Sequence, residues 1–379
     1  MTSTPQIPVA VFLTSFHPGG TERQMIELVQ RLDRRRFTVR VACFHREGAW
    51  LPRVEPSVPV TAFPIAGFTR PRTLARAAAF VRWCRTNRIA VLQACDFYSN
   101  AFALPAAALA RVPARIGSRR ELAPDKRPAQ LALQRQAYRC AHAIVANSSA
   151  AAERLCGEGI SASRIHVIPN GVDLDRTSFE RTPRGLQTIL TVANLRKEKA
   201  HEVLFAAVAQ LLPRHPSLGV KVAGDGPRAQ ELRNVAASFG VADRIAFLGH
   251  REDVPALLEE ADLFVLPSRS EAFPNSVIEA MTAGLPVIAS AVGGLLELVD
   301  SGRTGLLVPP DDPAALARAL ESLLTAPDRA RAMGETARQE IARRYSFDRM
   351  VQAFEELYLR QLHAGSAARP AHPVTSRVA

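Results

Sequence analysis

The chain has 379 residues, 47% hydrophobic and 22% charged, which is enough for two domains of ordinary size and too globular for a disordered or fibrous protein. Its formal charge of +12 lies entirely in residues 1–180, where 25 Lys and Arg face 13 Asp and Glu, while residues 181–379 hold 23 of each. Basic residues scattered over many elements, with no aromatic-rich stretch between them, argue against nucleic acid. The asymmetry fits either an anionic acceptor or membrane surface meeting the first half, or arginine accumulated from genome composition.

No apolar run approaches the length of a spanning helix. The start, Met1-Thr2-Ser3-Thr4-Pro5, lacks the charged region of a signal peptide. Cys43, Cys84, Cys95, Cys140 and Cys156 are odd in number and lack metal-ligand spacing, so they read as free, mostly buried thiols. The expectation is a cytoplasmic protein.

Val9–Thr14 reads as the first strand and Ser15–Gly20 as a loop ending in Gly19-Gly20. A helix to about Asp33 follows, with Met25, Ile26, Leu28, Val29 and Leu32 on its apolar side. A glycine pair there lets a ligand approach a positive helix end closely. It is not the Gly-x-Gly-x-x-Gly fingerprint, which argues against a nicotinamide enzyme. Phe37–Phe44 and Val58–Phe63 are further strands, Thr73–Asn87 is a helix, and Ile89–Cys95 is a strand entering the loop Asp96–Asn100. Asp96 at a strand end is either catalytic or a turn residue. Ala114–Ser118 leads into Arg119-Arg120-Glu121, whose guanidinium forks suit a phosphate or carboxylate or else form a solvated surface pair. Strand Ala143–Asn147 is capped by Ser148-Ser149, and Ile165–Ile168 runs into the turn Pro169-Asn170-Gly171-Val172-Asp173.

The second half opens with strand Thr188–Ala193, the loop from Asn194 to His201, and helix Glu202–Leu212. Arg196 and Lys199 on that loop suit a diphosphate. Leu218–Ala223 ends in Gly224-Asp225-Gly226-Pro227, and Ile245–Gly249 delivers His250 to a loop. Ala261–Ser268 is a buried strand running into Arg269-Ser270-Glu271-Ala272-Phe273-Pro274. Asn275-Ser276 looks like the N-cap of a helix that Gly284 stops, leaving N–H groups of residues 273–277 for a phosphate. Glu271 and Glu279 bracket that terminus, and carboxylates accept hydrogen bonds from sugar hydroxyls. Gly284–Ser290 and Gly305–Val308 are strands, with Gly293-Gly294 and Glu297 between them, and helices fill the remainder to about Leu362.

A Glu, seven residues, a second Glu and then Gly-Leu-Pro-Val resembles the retaining glycosyltransferases of family 4, a likeness that extends over about residues 8–362. It implies the GT-B fold, two doubly wound Rossmann-like α/β domains facing a cleft. Residues 1–171 would form the acceptor-side domain, with a helix at about 347–362 crossing back to it. Residues 172–346 would bind the donor, and 363–379 would be a disordered tail. Matching positions would place Glu271 on the donor sugar, Glu279 on the ribose, Arg196 and Lys199 on the diphosphate and His250 near the base. Gly19 and Gly20 would face the donor across the cleft, and Phe273, Pro274, Asn275 and Ser276 would complete its loop.

The activity implied is transfer of a sugar from a UDP- or GDP-sugar to a hydroxyl of a glycan or lipid-linked acceptor, in envelope or exopolysaccharide biosynthesis. It would proceed without metal or cofactor, on the inner face of a membrane. Ala200 and Ala272 stand where the family has Gly. No His lies near Cys95–Tyr98, which leaves Asp96 as its natural substitute and Arg119 and Arg120 as further acceptor-side groups. The missing His keeps a second reading open, a nucleotide-sugar-binding protein of the same fold without catalysis. A nucleotide-sugar epimerase is the third, disfavoured by the paired glutamates.

Overall fold

The computed structural model of the chain describes residues 5–68, 70–122, 126–174 and 185–367. Short runs of apolar and β-branched residues alternate with Ala- and Leu-rich helical stretches, and the strands gather into two sheets. Seven form the first: β1 (Ile7–Leu13), β2 (Phe37–Cys43), β3 (Val60–Ala62), β4 (Val91–Ala94), β5 (Ala114–Arg119), β6 (Ala143–Ala146) and β7 (Ile165–Val167), in the order β3-β2-β1-β4-β5-β6-β7. Six form the second: β8 (Thr188–Val192), β9 (Gly219–Ala223), β10 (Ile245–Gly249), β11 (Leu263–Leu266), β12 (Val287–Ser290) and β13 (Leu306–Val308), in the order β10-β9-β8-β11-β12-β13. Every pairing between these strands is parallel.

Parallel neighbours need crossovers, and helices supply them. In the first domain these are α1 (Gly20–Arg31), α2 (Pro71–Thr86), α3 (Phe97–Leu109), α4 (Pro128–Arg139) and α5 (Ser149–Gly157). In the second they are α6 (His201–Leu211), α7 (Ala229–Ser238), α8 (Val254–Glu260), α9 (Asn275–Thr282), α10 (Leu295–Leu298), α11 (Pro313–Leu324) and α12 (Pro327–Arg344). Both faces of each sheet are covered by apolar clusters, so the strands are buried on both sides. Strand order reverses once in each sheet, between β1 and β4 and between β8 and β11. Open parallel sheets bind ligands outside the carboxyl ends of the strands at such reversals.

A last helix, α13 (Phe347–Ala367), returns to the first domain and places Phe347, Met350, Val351, Phe354, Leu357 and Tyr358 in its core. The chain therefore crosses between domains twice, and the crossings run side by side: Val172 N–H donates to Tyr345 O at 2.8 Å and Phe347 N–H to Val172 O at 3.3 Å. Gly171 makes that approach feasible, since a Cβ there would lie 2.6 Å from the Phe347 ring and 2.7 Å from its Cα.

Two expectations change. Asp96–Asn100 is not a loop, because Asp96 is the N-cap of α3, accepting the Ser99 N–H at 2.8 Å, while Ser99 Oγ accepts the Asp96 N–H at 2.8 Å. The closing helix continues to Ala367, so residues 363–367 are helical rather than tail, and 368–379 lie outside the described residues. All five cysteines are free thiols; Cys43, Cys84 and Cys95 are buried, Cys140 is half-buried and Cys156 is exposed.

Candidate active site

A cavity of about 1210 Å³ lies between the domains, walled by the loops after β1, β8, β10 and β11. Its floor on the second-domain side is the segment from Leu266 to α9. Ser268 Oγ donates to Glu271 Oε1 at 2.7 Å, and Lys199 Nζ donates to the same oxygen at 2.6 Å. The Glu271 side chain is 7% exposed, so this is a sheltered ion pair that joins the β8 loop to the β11 loop. Gly293 and Gly294 pack directly on this segment: a Cβ on either would come within 2.0 Å of the Glu271 or Ala272 carbonyl oxygen. Gly294 N–H donates to Glu271 O at 3.0 Å, which fixes the loop from behind.

Arg196 is exposed on the loop that carries Lys199, lines the cavity, and makes no ion pair among the described residues. The turn between them ends at Ala200, whose φ of +51° lies in the left-handed region. That is the physical reason glycine suits this position. Ala272, the other alanine at a glycine position, has no positive φ and carries no such strain. His250 follows Gly249, at φ +68°, and lines the cavity beyond the end of β10.

The start of α9 differs in detail from expectation. Pro274, in extended conformation, is the N-cap, and no side chain caps the helix. Asn275 is its first residue, and its amide turns to the domain junction, where Asn170 Nδ2 and Gln24 Nε2 donate to its Oδ1 at 2.7 and 3.2 Å. Its Nδ2 donates to Gly20 O at 3.3 Å, so it bridges to the other domain. Phe273 is 4% exposed against Tyr345, with Asn170 Nδ2 donating to its carbonyl at 3.0 Å; Phe273, Pro274 and Ser276 all border the cavity.

From the first domain, Gly19 and Gly20 open α1 at the same cavity, again without a capping side chain. Two uncapped helix N-termini therefore meet across the cleft, and each favours negative charge. Arg23, on the first turn of α1, pairs with Glu279 of α9 across the gap. Behind it Gln24 donates to Gly171 O at 2.9 Å and accepts from Gly171 N–H at 2.8 Å. Glu297 reaches back, accepting from Ser149 Oγ and Ala150 N–H at 3.1 Å each. Arg23, Gln24, Asn170 and the role of Glu297 were not legible in the sequence, because their partners Glu279, Gly171, Phe273 and Ala150 each lie more than a hundred residues away.

The acceptor-side candidates separate. Arg119 is 1% exposed and turned inward, pairing with Glu158 at 2.9 Å and donating to Gln134 Oε1 at 2.9 Å, which ties β5 to α4 and to the end of α5. Only Arg120 of the two reaches the main cleft. Asp96 lies outside it, in the wall of a smaller adjoining pocket of about 150 Å³. Its carboxylate faces its own capping box and Thr14, whose hydroxyl donates to it at 2.8 Å. Burial raises its pKa from the ordinary aspartate value, and likewise raises that of neighbouring Glu22.

Among the described residues no group of three or more His, Cys, Asp and Glu is placed to hold a metal ion, and no helix is long and apolar enough to cross a membrane.

Residues 18–176 match the family Glycosyltransferase Family 4, and residues 177–340 match Glycosyl transferases group 1. The D-inositol 3-phosphate glycosyltransferase of Streptomyces scabiei is 30% identical over 391 aligned positions, spanning 91% of this chain and 87% of that protein. The glycogen synthase of Mycobacterium tuberculosis is 34% identical over 224 positions, 58% of this chain and 54% of that one. The chain thus spans about half the length of several curated relatives that it matches. Among solved structures, Anabaena Alr3699/HepE, determined in complex with UDP and glucose, superposes with a TM-score of 0.83 at 23% identity, covering 93% of this chain and 99% of that one. The two parallel sheets, the cleft between them and these matches together show a GT-B fold, and the chain belongs to the family 4, group 1 glycosyltransferases.

Proposed function

We propose that the protein transfers a sugar from a nucleotide diphosphosugar to a hydroxyl acceptor with retention of configuration. The observation that carries this reading is the convergence of Lys199 and Glu271, 2.6 Å apart, beside the uncapped start of α9 and opposite the uncapped start of α1. The diphosphate sits between Arg196, Lys199 and the N–H groups at the head of α9. Negative charge grows on that group as the sugar leaves, and fixed cations and helix ends stabilise it without reorganising. Glu271 holds hydroxyls of the transferred sugar, and Lys199 keeps that carboxylate charged and oriented. Glu279 takes the ribose, exchanging the Arg23 pair for the two ribose hydroxyls and releasing Arg23 toward the phosphates. The base lies near His250. The acceptor enters from the first domain and attacks from the face the diphosphate leaves, with the departing phosphate oxygen taking its proton. Closure of the domains about the paired crossings at Val172 and Tyr345–Phe347 excludes water and limits donor hydrolysis.

These protein cations, rather than a divalent ion, neutralise the leaving group in this reading. UDP is the first nucleotide to test, because the similar Anabaena structure was determined with UDP and glucose. The acceptor is a glycan or a lipid-linked sugar of envelope or exopolysaccharide assembly, reached at the inner face of the membrane; the positive excess of residues 1–180 supports an anionic partner on that side. Release of nucleoside diphosphate from UDP- and GDP-sugars, with and without acceptors, tests the reaction. Calorimetry tests the roles. Glu279→Ala should weaken binding of the free nucleoside diphosphate, whereas Glu271→Ala should lower turnover and leave that affinity almost unchanged. Equal losses of nucleotide affinity in the two variants would refute the division.

A further inference from the structure

We propose that Arg269 is a positioning residue, which clamps the loop of residues 194–200 from outside the cavity in the strained form that aims Arg196 and Lys199 at the ligand. The role rests on the assignment of those two cations to a diphosphate.

Arg269 stands two residues before Glu271 and, unlike Glu271, does not line the cavity. Its backbone N–H donates to Glu198 O at 2.8 Å and its Nη1 to Lys197 O at 2.6 Å, so it holds two carbonyls of the single helical turn Lys197–Lys199. The guanidinium also pairs with Glu202 of α6 at 2.9 Å and, through Nη2, with Asp311 ahead of α11 at 2.6 Å. A rigid guanidinium fork serves these three partners at once, which a lysine ammonium on its flexible stem does not.

The turn needs holding. Four non-glycine residues have positive φ among the described residues, and two of them, Arg88 and Arg111, follow the ends of α2 and α3, where a left-handed residue is ordinary. The other two, Ala200 at +51° and Asp311 at +57°, belong to the two segments that Arg269 ties together. Aspartate tolerates that conformation better than alanine does, and such strain persists only where surrounding contacts over-determine it. The hydrogen bond that closes the turn is long, Ala200 N–H to Lys197 O at 3.3 Å, and Arg269 reinforces it at the same carbonyl.

Inside the cavity, Lys199 Nζ also joins this loop to Glu271, at 2.6 Å. A diphosphate competes for that ammonium, whereas the Arg269 ties engage carbonyls and carboxylates outside the cavity and persist when ligand binds. The loop is then already in its binding form, and no ligand energy is diverted into ordering it.

The test measures two quantities on the full chain. The first is the ratio of affinities for UDP and uridine, or for GDP and guanosine, by calorimetry and competition. The second is hydrogen exchange at the Lys199 and Ala200 amides, which donate to Arg196 O and Lys197 O. Arg269→Met should lower the ratio about tenfold, the smaller end of what one charge-assisted hydrogen bond represents, with nucleoside affinity retained. It should also speed both amides about tenfold relative to those of β8. Adding Ala200→Gly, which makes the left-handed turn free of strain, should recover most of the lost ratio. Asp311→Asn keeps the backbone conformation and removes the charge; it should give smaller shifts of the same sign, and it decides the matter if Arg269→Met fails to fold. An unchanged ratio, parent-like exchange at both amides, no recovery in the double variant, or equal losses for nucleoside and nucleotide overturns the clamp. If the parent binds neither nucleotide, the diphosphate reading falls instead, and the exchange rates alone decide the clamp.

Discussion

Arg196 and Lys199 share a loop but differ in surroundings, and their substitutions should differ accordingly. Arg196 is exposed and without an ion pair among the described residues, so Arg196→Ala removes only what it gives the ligand. A charge-assisted hydrogen bond is worth roughly 1.5–3 kcal/mol, so kcat/KM should fall about 10- to 150-fold with stability unchanged. Lys199→Ala should lose a similar factor and also some stability, because it leaves the sheltered Glu271 without its cation. Steady-state kinetics with thermal melts on both variants checks this, and parent-like turnover in both would refute the diphosphate assignment. His201 offers a test that does not depend on the ligand. It is fully buried at the start of α6, neither ring nitrogen has a partner, and burial lowers its pKa to about 4. The folded state therefore holds the neutral ring, while the unfolded chain takes up a proton near pH 6.5. That contribution is complete above about pH 6.5 and is lost as pH falls toward 4, by about 3 kcal/mol at most. His201→Leu should abolish this part of the acid dependence, so that urea melts at pH 7 and pH 4.5 differ less than in the parent. An identical acid dependence in parent and variant would place the proton uptake elsewhere.

At the level of elements, the double crossing is held by a glycine that no side chain can replace without movement. A Cβ at Gly171 meets the Phe347 ring and backbone, so Gly171→Ala should cost about 1–3 kcal/mol as overpacking. It should also alter domain closure, seen as a changed nucleotide-induced compaction in small-angle scattering; unchanged melting and compaction would show that the crossing has slack. Most strands and helices were legible in the sequence, because apolar runs bounded by Gly, Pro and Asn mark buried parallel strands. The start of α3 was not. Its residues Phe97-Tyr98-Ser99-Asn100 carry no apolar period, and only the reciprocal Asp96–Ser99 cap reveals a helix there. That Glu271, Glu279 and the α9 terminus border one cavity was legible because they are close in sequence. Asn275 was misplaced as a cap because its amide answers to Gly20, Gln24 and Asn170, partners brought by the other domain. The same logic hid Arg23, whose partner Glu279 lies across the cleft.

Across the whole molecule, seven arginines of the positive first half fall into two groups at opposite ends of the first sheet. Arg34, Arg35 and Arg36 precede β2, at the end of the first sheet away from the cleft. They are engaged locally, with Val29 O, Asp33 and Glu355 respectively. Arg70, Arg72, Arg76 and Arg82 lie at the start and along the exposed side of α2, which begins at the cleft end of the sheet, and make no ion pair among the described residues. Beside them Leu74 is 77% exposed, and Phe68, 36% exposed, stacks on Tyr98. An anionic bilayer contributes about 1 kcal/mol per nearby basic residue, screened within a Debye length. Flotation with anionic vesicles should therefore recover the protein at low salt, lose it as salt rises, and fail with neutral vesicles. Replacing Arg70, Arg72 and Arg76 by Gln should abolish recovery, whereas replacing Arg34, Arg35 and Arg36 should leave it nearly unchanged, since those charges face the far end. Equal, negligible recovery on both vesicle types at low salt would mean that the arginine excess serves solubility alone. Equal sensitivity to the two triple substitutions would mean that net charge, rather than the α2 face, governs binding. The α2 face is the arrangement that would present a membrane-bound acceptor to the mouth of the cleft, next to Tyr98 and the pocket that Arg120 lines.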